Sequence, residues 1–495
     1  MRKAPRPVTL LAATALSSVA VVGAMSFAPV AAEDYKAQAA ATTKPEAKSP
    51  AESPAKSTAK GAAQRTVMII GNNWAGTATI VDARTHKRLA TINIIPDIDQ
   101  ERQSIATAPD RLAFYLAVQQ GVGEGHDQYV DDMFTTRNGK YLAVSRPSLS
   151  DVVWIDLAKA AAGAPDSIVA EQQMDGYRTD HMGVSPDRER LVVSDSTARQ
   201  VIEFSMVRGT GPDGDEVRMG DRLRSFPSGD TPHENNYSDD GRRIFHASIG
   251  RVYTPGDYGH VGPVNADTIH DAVKADRWLE VVRNRDFDIT RRWDMGVELE
   301  EAGYPGMSSA VRPAALSPNE KVMYLQVSFF HGIVEFAMEA PDPNGGGDYT
   351  LGGEPEPAVG KVRRIIPLPV SDEVANMPRE LYVLDSAHHG LSMNESGTKL
   401  CAAGTMSDYG AIIDRDTWTA KIFKGKGRFL EDRTYLKPYW SVEGPGNTCW
   451  MSMSGSDMVV VLSFKNEKVI AEVPVGDHPQ RVRPGTIRES IVSTF

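Results

Sequence analysis

Apolar and polar positions alternate in short runs along most of the chain, and one phrase returns with variation. Its fullest form opens at Asp180, DHMGVSPDRERLVVSDSTARQVIEFSMV: a polar start, a short strand, a Ser-Pro-Asp turn, a second strand, a loop and a third strand. Further copies open near Asp131, His233, Arg312, His389 and Tyr439. Turn residues fall at matched places (Pro186-Asp187, Asn138-Gly139, Asp240-Gly241, Ser396-Gly397), with Val, Ile, Leu and Tyr alternating between them. This predicts a four-stranded unit at each step.

The two ends of the pattern are incomplete and complementary. The stretch EKVIAEVPVGDHPQRVRPGTI, residues 467–487, finishes on a strand with only a short tail behind it, whereas residues 66–96 read as three strands of a repeat that lacks its first. If the run after His478 supplies that strand, the split copy is the seventh and the chain ends meet in one sheet. The predicted fold is all-β, a seven-bladed β-propeller over residues 65–495 closed by pairing of the N- and C-terminal strands. One unit cannot bury both faces of its sheet, but a closed ring of units can, and it leaves no long open edge.

Two partly helical insertions interrupt the ring. Between Asp97 and Asp127, DRLAFYLAVQQ has helical spacing; between Val252 and Met307, TIHDAVKADRWLEVV reads as a helix followed by a strand-like DITRRWDMG. An acid also recurs at the end of the third strand (Asp82, Asp156, Glu203, Glu335, Asp414), where its side chain can bond to turn backbone, which makes it scaffold.

The phrase VPVGDHPQRV, the SPDxxxLxVS repeats and the V-x-x-x-D strand endings resemble the YVTN or YncE-type family of secreted seven-bladed propellers, a relative of the lactonase-like and cytochrome d1-like propellers. The resemblance covers roughly residues 66–487 and implies the propeller fold. That superfamily includes lactone hydrolases, cofactor-binding subunits and proteins that only bind, so the resemblance leaves activity open.

The net charge of −11 provides no basic surface for nucleic acid. Arg2, Lys3 and Arg6 precede an apolar run from Val8 to Phe27, and Val30-Ala31-Ala32 offers small residues for cleavage, so residues 1–32 read as a Sec-type signal peptide. No cysteine lies nearby to carry a lipid, and no later run is long enough to span a bilayer. The expectation is a secreted, extracytoplasmic monomer without membrane insertion. Residues 33–64, rich in Ala, Pro, Lys and Ser, read as a disordered linker.

Inner strands line the channel of a propeller, so the residues that open each copy are the candidates for chemistry. Counting back five from the turn position gives Asp131, Asp180, His233, Arg312, His389 and Pro438, followed by Asp132, His181, Glu234, Pro313, Gly390 and Tyr439. His388 and Trp440 sit beside these starts. Asp131, Asp132, Asp180, His181, Glu234, His388, Tyr439 and Trp440 are candidate contacts for a small-molecule or protein ligand. His181, His233 and His389 could hold a divalent or transition metal; His233 or His389 could act as base, with Arg312 steadying an anionic or carbonyl substrate, in a lactonase-like hydrolase. Polar residues capping strand ends in a wet channel mouth account for the same pattern without a site, and a protein-interaction scaffold built on the inserted face is a third reading.

SFFHGIVEF, with His331 and Glu335 alternating onto one face, reads as packing. The cysteines Cys401 and Cys449 fall on second strands of consecutive units and point to opposite sheet faces, so they either meet in a disulfide across the interface or stay as two buried thiols. The sequence contains no CxxCH, GxSxG elbow, P-loop, HExxH helix or EF-hand loop.

Overall fold

The computed structural model describes residues 62–250, 276–304, 311–328, 330–339, 360–377, 382 and 386–495, without the side chains of 311–313. The expected signal peptide, the linker up to residue 61 and TIHDAVKA (268–275) lie outside the described residues.

Seven four-stranded antiparallel sheets follow one another around a ring. Blades 1 to 6 open on the inner strands Met133–Thr135, Thr179–Val184, Pro232–Tyr237, Val311–Leu316, Gly390–Met393 and Pro438–Gly444. Blade 7 is the split copy: Pro479–Arg488 is innermost and pairs with Gln64–Asn72, which leads outward to Thr77–Asp82 and Arg88–Asn93. The closing ladder runs from Gln64 opposite Arg488 to Asn72 opposite Pro479. The ends of the chain therefore clasp through backbone hydrogen bonds, as the complementary half-repeats predict.

Alternation decides the core, because both faces of each blade are covered. One side of Lys399–Gly404 gives Leu400 and Ala402 to the cluster shared with blade 4 (Tyr324, Ile333). The other side gives Cys401 and Ala403 to the cluster shared with blade 6 (Cys449, Met451). An apolar cluster of this kind fills each of the seven interblade seams. Cys401 and Cys449 form a disulfide across the seam of blades 5 and 6.

The first insertion is helical as expected: α1, Ile98–Thr107, and α2, Pro109–Gln120, which starts on proline. Ile105, Leu112 and Tyr115 seat the pair on the seam of blades 7 and 1. The second insertion differs from the reading. Trp278–Arg283, the end of TIHDAVKADRWLEVV, is the third strand of blade 3 and pairs with both Arg243–Ser248 and Asp288–Asp294. A short apolar run fits either period, and the open edge of Arg243–Ser248 decides for strand. The one helix described in this region is the short Met295–Glu301.

The recurrent acids divide in two. Asp82 and Asp414 accept from turn amides two and three residues on, and Asp156 caps the helix Leu157–Ala161. Glu203 and Glu335 instead lie inside their strands, buried in ion pairs with Arg224 and with Arg363 and Arg364.

Candidate site at the channel mouth

The inner strands share a defect at one level. In blades 2, 3, 4, 6 and 7 the ladder slips so that the inner strand carries one residue more than its neighbour, between Thr179 and Met182, Pro232 and Glu234, Val311 and Ala314, Pro438 and Ser441, and Pro479 and Val482. A bulge releases side chains from strict alternation and re-aims them. Consecutive residues of one strand can then both face the channel.

The pairing register fixes which residues are equivalent. The first position holds Asp131, Asp180, His233, Arg312, His389, Tyr439 and Gln480; the second holds Asp132, His181, Glu234, Pro313, Gly390, Trp440 and Arg481. Counting from the turn is thus one residue early in blade 6, where Tyr439 and not Pro438 matches Asp180.

His181, His233 and His389, from blades 2, 3 and 5, offer one nitrogen each, all within 4.8 Å of one another. Asp180 stands beside two of them, its Oδ1 3.5 Å from His181 Nε2 and 3.9 Å from His233 Nε2. Ser196 Oγ donates to Asp180 Oδ2 at 2.8 Å and holds the carboxylate in place. Glu234 Oε2 lies 2.8 Å from His181 Nδ1, which leaves Nε2 as the nitrogen aimed at the other histidines. The His389 ring stacks on Tyr439 with centroids 4.0 Å apart. Burial, with the Arg481 charge adding to it, pushes His181 well below the usual histidine range and keeps its imidazole neutral, the form that binds metal. Burial pushes Glu234 up to about 7.

A second set surrounds the first. Asp131 Oδ1 faces Arg481 Nη2 at 3.1 Å, and Asp131, Asp180 and His181 present ligand atoms within 4.8 Å of one another. Asp132 takes Arg483 in two 2.7 Å hydrogen bonds and also accepts from the Met182 amide, so it ties blades 7, 1 and 2 together. The guanidiniums of Arg481 and Arg483 lie over the Trp440 indole, 4.1 and 4.8 Å from it. Gly390 is where a side chain has no room: an added Cβ would meet the Ser441 nitrogen at 2.4 Å and Trp440 backbone at 2.7 Å.

The candidate residues therefore divide. Asp131, Asp180, His181, His233, Glu234, His389, Tyr439 and Trp440 come together. Asp132 is engaged by Arg483. His388 turns away, its Nε2 3.0 Å from Tyr409 Oη and its ring edge-on to His331. The side chain of Arg312 lies outside the described residues. Sequence reading missed Arg481 and Arg483, although extending the same count to the split copy places Arg481 level with His181. His331 and Glu335 of SFFHGIVEF serve packing: Glu335 holds its two arginines and Tyr324, and His331 meets Tyr382.

No family model matches the sequence, and no curated protein matches it. Among solved structures, the hydrazine synthase of Kuenenia stuttgartiensis is similar at 13% identity and a TM-score of 0.44, over 83% of this chain and 92% of that one. A likeness of this size speaks neither to activity nor to ligand. Among the described residues, no helix is long and apolar enough to cross a membrane.

Proposed function

We propose that this chain is a secreted propeller of the YVTN or YncE kind whose channel mouth holds a divalent transition metal and uses it to bind a small ligand. The observation that carries the reading is the convergence of His181, His233 and His389 from three blades. Residues so far apart in the chain meet only because the ring brings them to one level. Three imidazoles beside a carboxylate suit zinc, copper, nickel or ferrous iron better than calcium or magnesium. The contact from Glu234 to the far nitrogen of His181 is the outer support that metal-bound histidines ordinarily have. Secretion is supported by the leader-like N-terminus and by the Cys401–Cys449 disulfide, a bond that persists in oxidising compartments.

The experiment is a competition titration of chelator-treated protein with Zn2+ and Cu2+ against a chromophoric chelator. One metal per chain is expected, with affinity falling at least ~100-fold in each of His181→Ala, His233→Ala and His389→Ala. Equal affinity in the wild type and the three variants would overturn the reading.

A lactonase-like hydrolase is the second reading. It is favoured by Asp180, close enough to both His181 and His233 to handle a proton at the metal position. Turnover of a lactone panel that disappears in Asp180→Asn at full metal occupancy would establish it.

A further inference from the structure

Arg481 is fully buried, and none of its Nε, Nη1 and Nη2 atoms makes a hydrogen bond among the described residues. Its ion pair among the described residues is with Asp131, whose other carboxylate oxygen, Oδ2, is likewise buried without a hydrogen bond. Two further donors from the closing blades, Trp440 Nε1 and Gln480 Nε2, share that condition. Arg146, equally buried, forks instead onto both Asp97 and Asp151. Burying a guanidinium with its donors unsatisfied is costly, and a protein tolerates it where a ligand completes the set.

The position of Arg481 narrows the ligand. Asp131 touches Arg481, and its carboxylate belongs to a cluster with Asp180 and His181, which is itself one of the three histidines. The guanidinium and the His181 imidazole thus share Asp131 and Trp440 as neighbours. Stacked on Trp440, it has one face occupied and keeps its planar edge of N–H groups for a partner. Such an edge matches two coplanar oxygens, the geometry of a carboxylate. Size is limited too, since Asp131, His181, His233, His389, Trp440 and Arg481 are each no more than 4% exposed.

We propose that the ligand of this centre is a small carboxylate, seated between the Arg481 guanidinium and the three histidines with its carbon against Trp440. This rests on the metal reading above for one end of the ligand and is independent of it at the other.

The test uses chelator-treated protein reloaded with Co2+ and titrated with sodium acetate or sodium phosphate at constant ionic strength. Binding is followed by the visible absorption of the bound cobalt, and by calorimetry on the metal-free protein. The expected result is saturable acetate binding to the cobalt form. R481Q keeps one cobalt per chain but binds acetate roughly 30-fold more weakly or worse. R481K, which keeps the charge and loses the fork, falls between the two and carries the test if R481Q does not fold. Acetate binding unchanged in both variants would overturn the assignment, and phosphate binding more tightly than acetate would overturn the planar class. Acetate that binds metal-free protein through Arg481, with no cobalt taken up, would remove the metal reading and leave the Arg481 site standing. Neither cobalt nor acetate bound would remove both.

Discussion

At the scale of single residues, the site depends on how few atoms each side chain leaves free to move. Glu234 fixes one nitrogen of His181 and so decides which nitrogen meets the other histidines. Glu234→Ala should therefore lower metal affinity by about 10- to 100-fold with stoichiometry preserved, as measured by chelator competition. Gly390 acts through absence. Because a Cβ there would press on the Ser441 nitrogen and Trp440 backbone, Gly390→Ala should cost about 1–3 kcal/mol in urea unfolding; an unchanged midpoint would contradict the close packing of blades 5 and 6. The histidines were legible in the sequence because the repeat supplies a ruler, and residues at the same mark share a level in the ring. Arg481 was hidden because the split copy was read for closure and not measured with that ruler. His388 was misjudged because adjacency along a strand says nothing of which neighbour faces the channel.

At the scale of elements, the bulge in the inner strands is the device that turns a repeat into a site. A regular strand would show the channel only one of Asp180 and His181, or of Tyr439 and Trp440; the extra residue brings both in. The bulge was not legible, since no residue pattern distinguishes it from a strand that simply starts one residue later; the blade 6 count was off by one because its hairpin loop is one residue shorter, with Gly444 opposite Thr448 where Ser185 in blade 2 bonds to Arg190. Strand and helix were separated poorly in TIHDAVKADRWLEVV because the partner edge that captures Trp278–Arg283 lies 30 residues or more back in blade 3. Between blades, the Cys401–Cys449 bond closes a loop with a sequence separation of 48. Replacing both cysteines with alanine should cost about 4 kcal/mol or less on the chain-entropy scale, with a matching fall in the urea midpoint; equal midpoints would mean that the bond adds nothing to the seam.

At the scale of the whole molecule, ring closure and burial set the response to solvent. Burial pushes His246 down to about 3 and His478 to about 3, against an ordinary histidine value of 6.5. His246 is held neutral by Ser228 on one nitrogen and by Asn235 and the Glu234 carbonyl on the other. Between those values the unfolded chain takes up protons that the folded chain refuses, so this contribution is fully present above about pH 6.5 and is lost as pH falls toward 3. Each histidine adds a slope of up to about 1.4 kcal/mol per pH unit. Glu171, Glu234 and Glu280, which burial raises to about 7, act in the opposite sense over the same range, so the test is a difference: the stability advantage of the wild type over His246→Gln in urea unfolding should shrink from pH 7 to pH 5, and an advantage that does not change with pH would contradict the burial. The closing strand Pro479–Arg488 both completes the sheet of blade 7 and carries Arg481 and Arg483 into the mouth, so stability and the site share one element. The architecture was legible almost entirely, because closure and seven matched copies each required the other. The identity of the ligand was not, since it depends on side chains that meet only once the ring is shut.

The central claim is that the ring assembles a metal centre from three blades, and the most direct measurement is the metal content of the chain from Glu33 onward. It would be purified without chelator or added histidines and analysed by mass spectrometry beside the triple variant His181→Ala, His233→Ala, His389→Ala. The account predicts close to one transition metal ion per wild-type chain and none in the variant. Equal metal in the two, or none in the wild type even after incubation with Zn2+ and Cu2+, would contradict it.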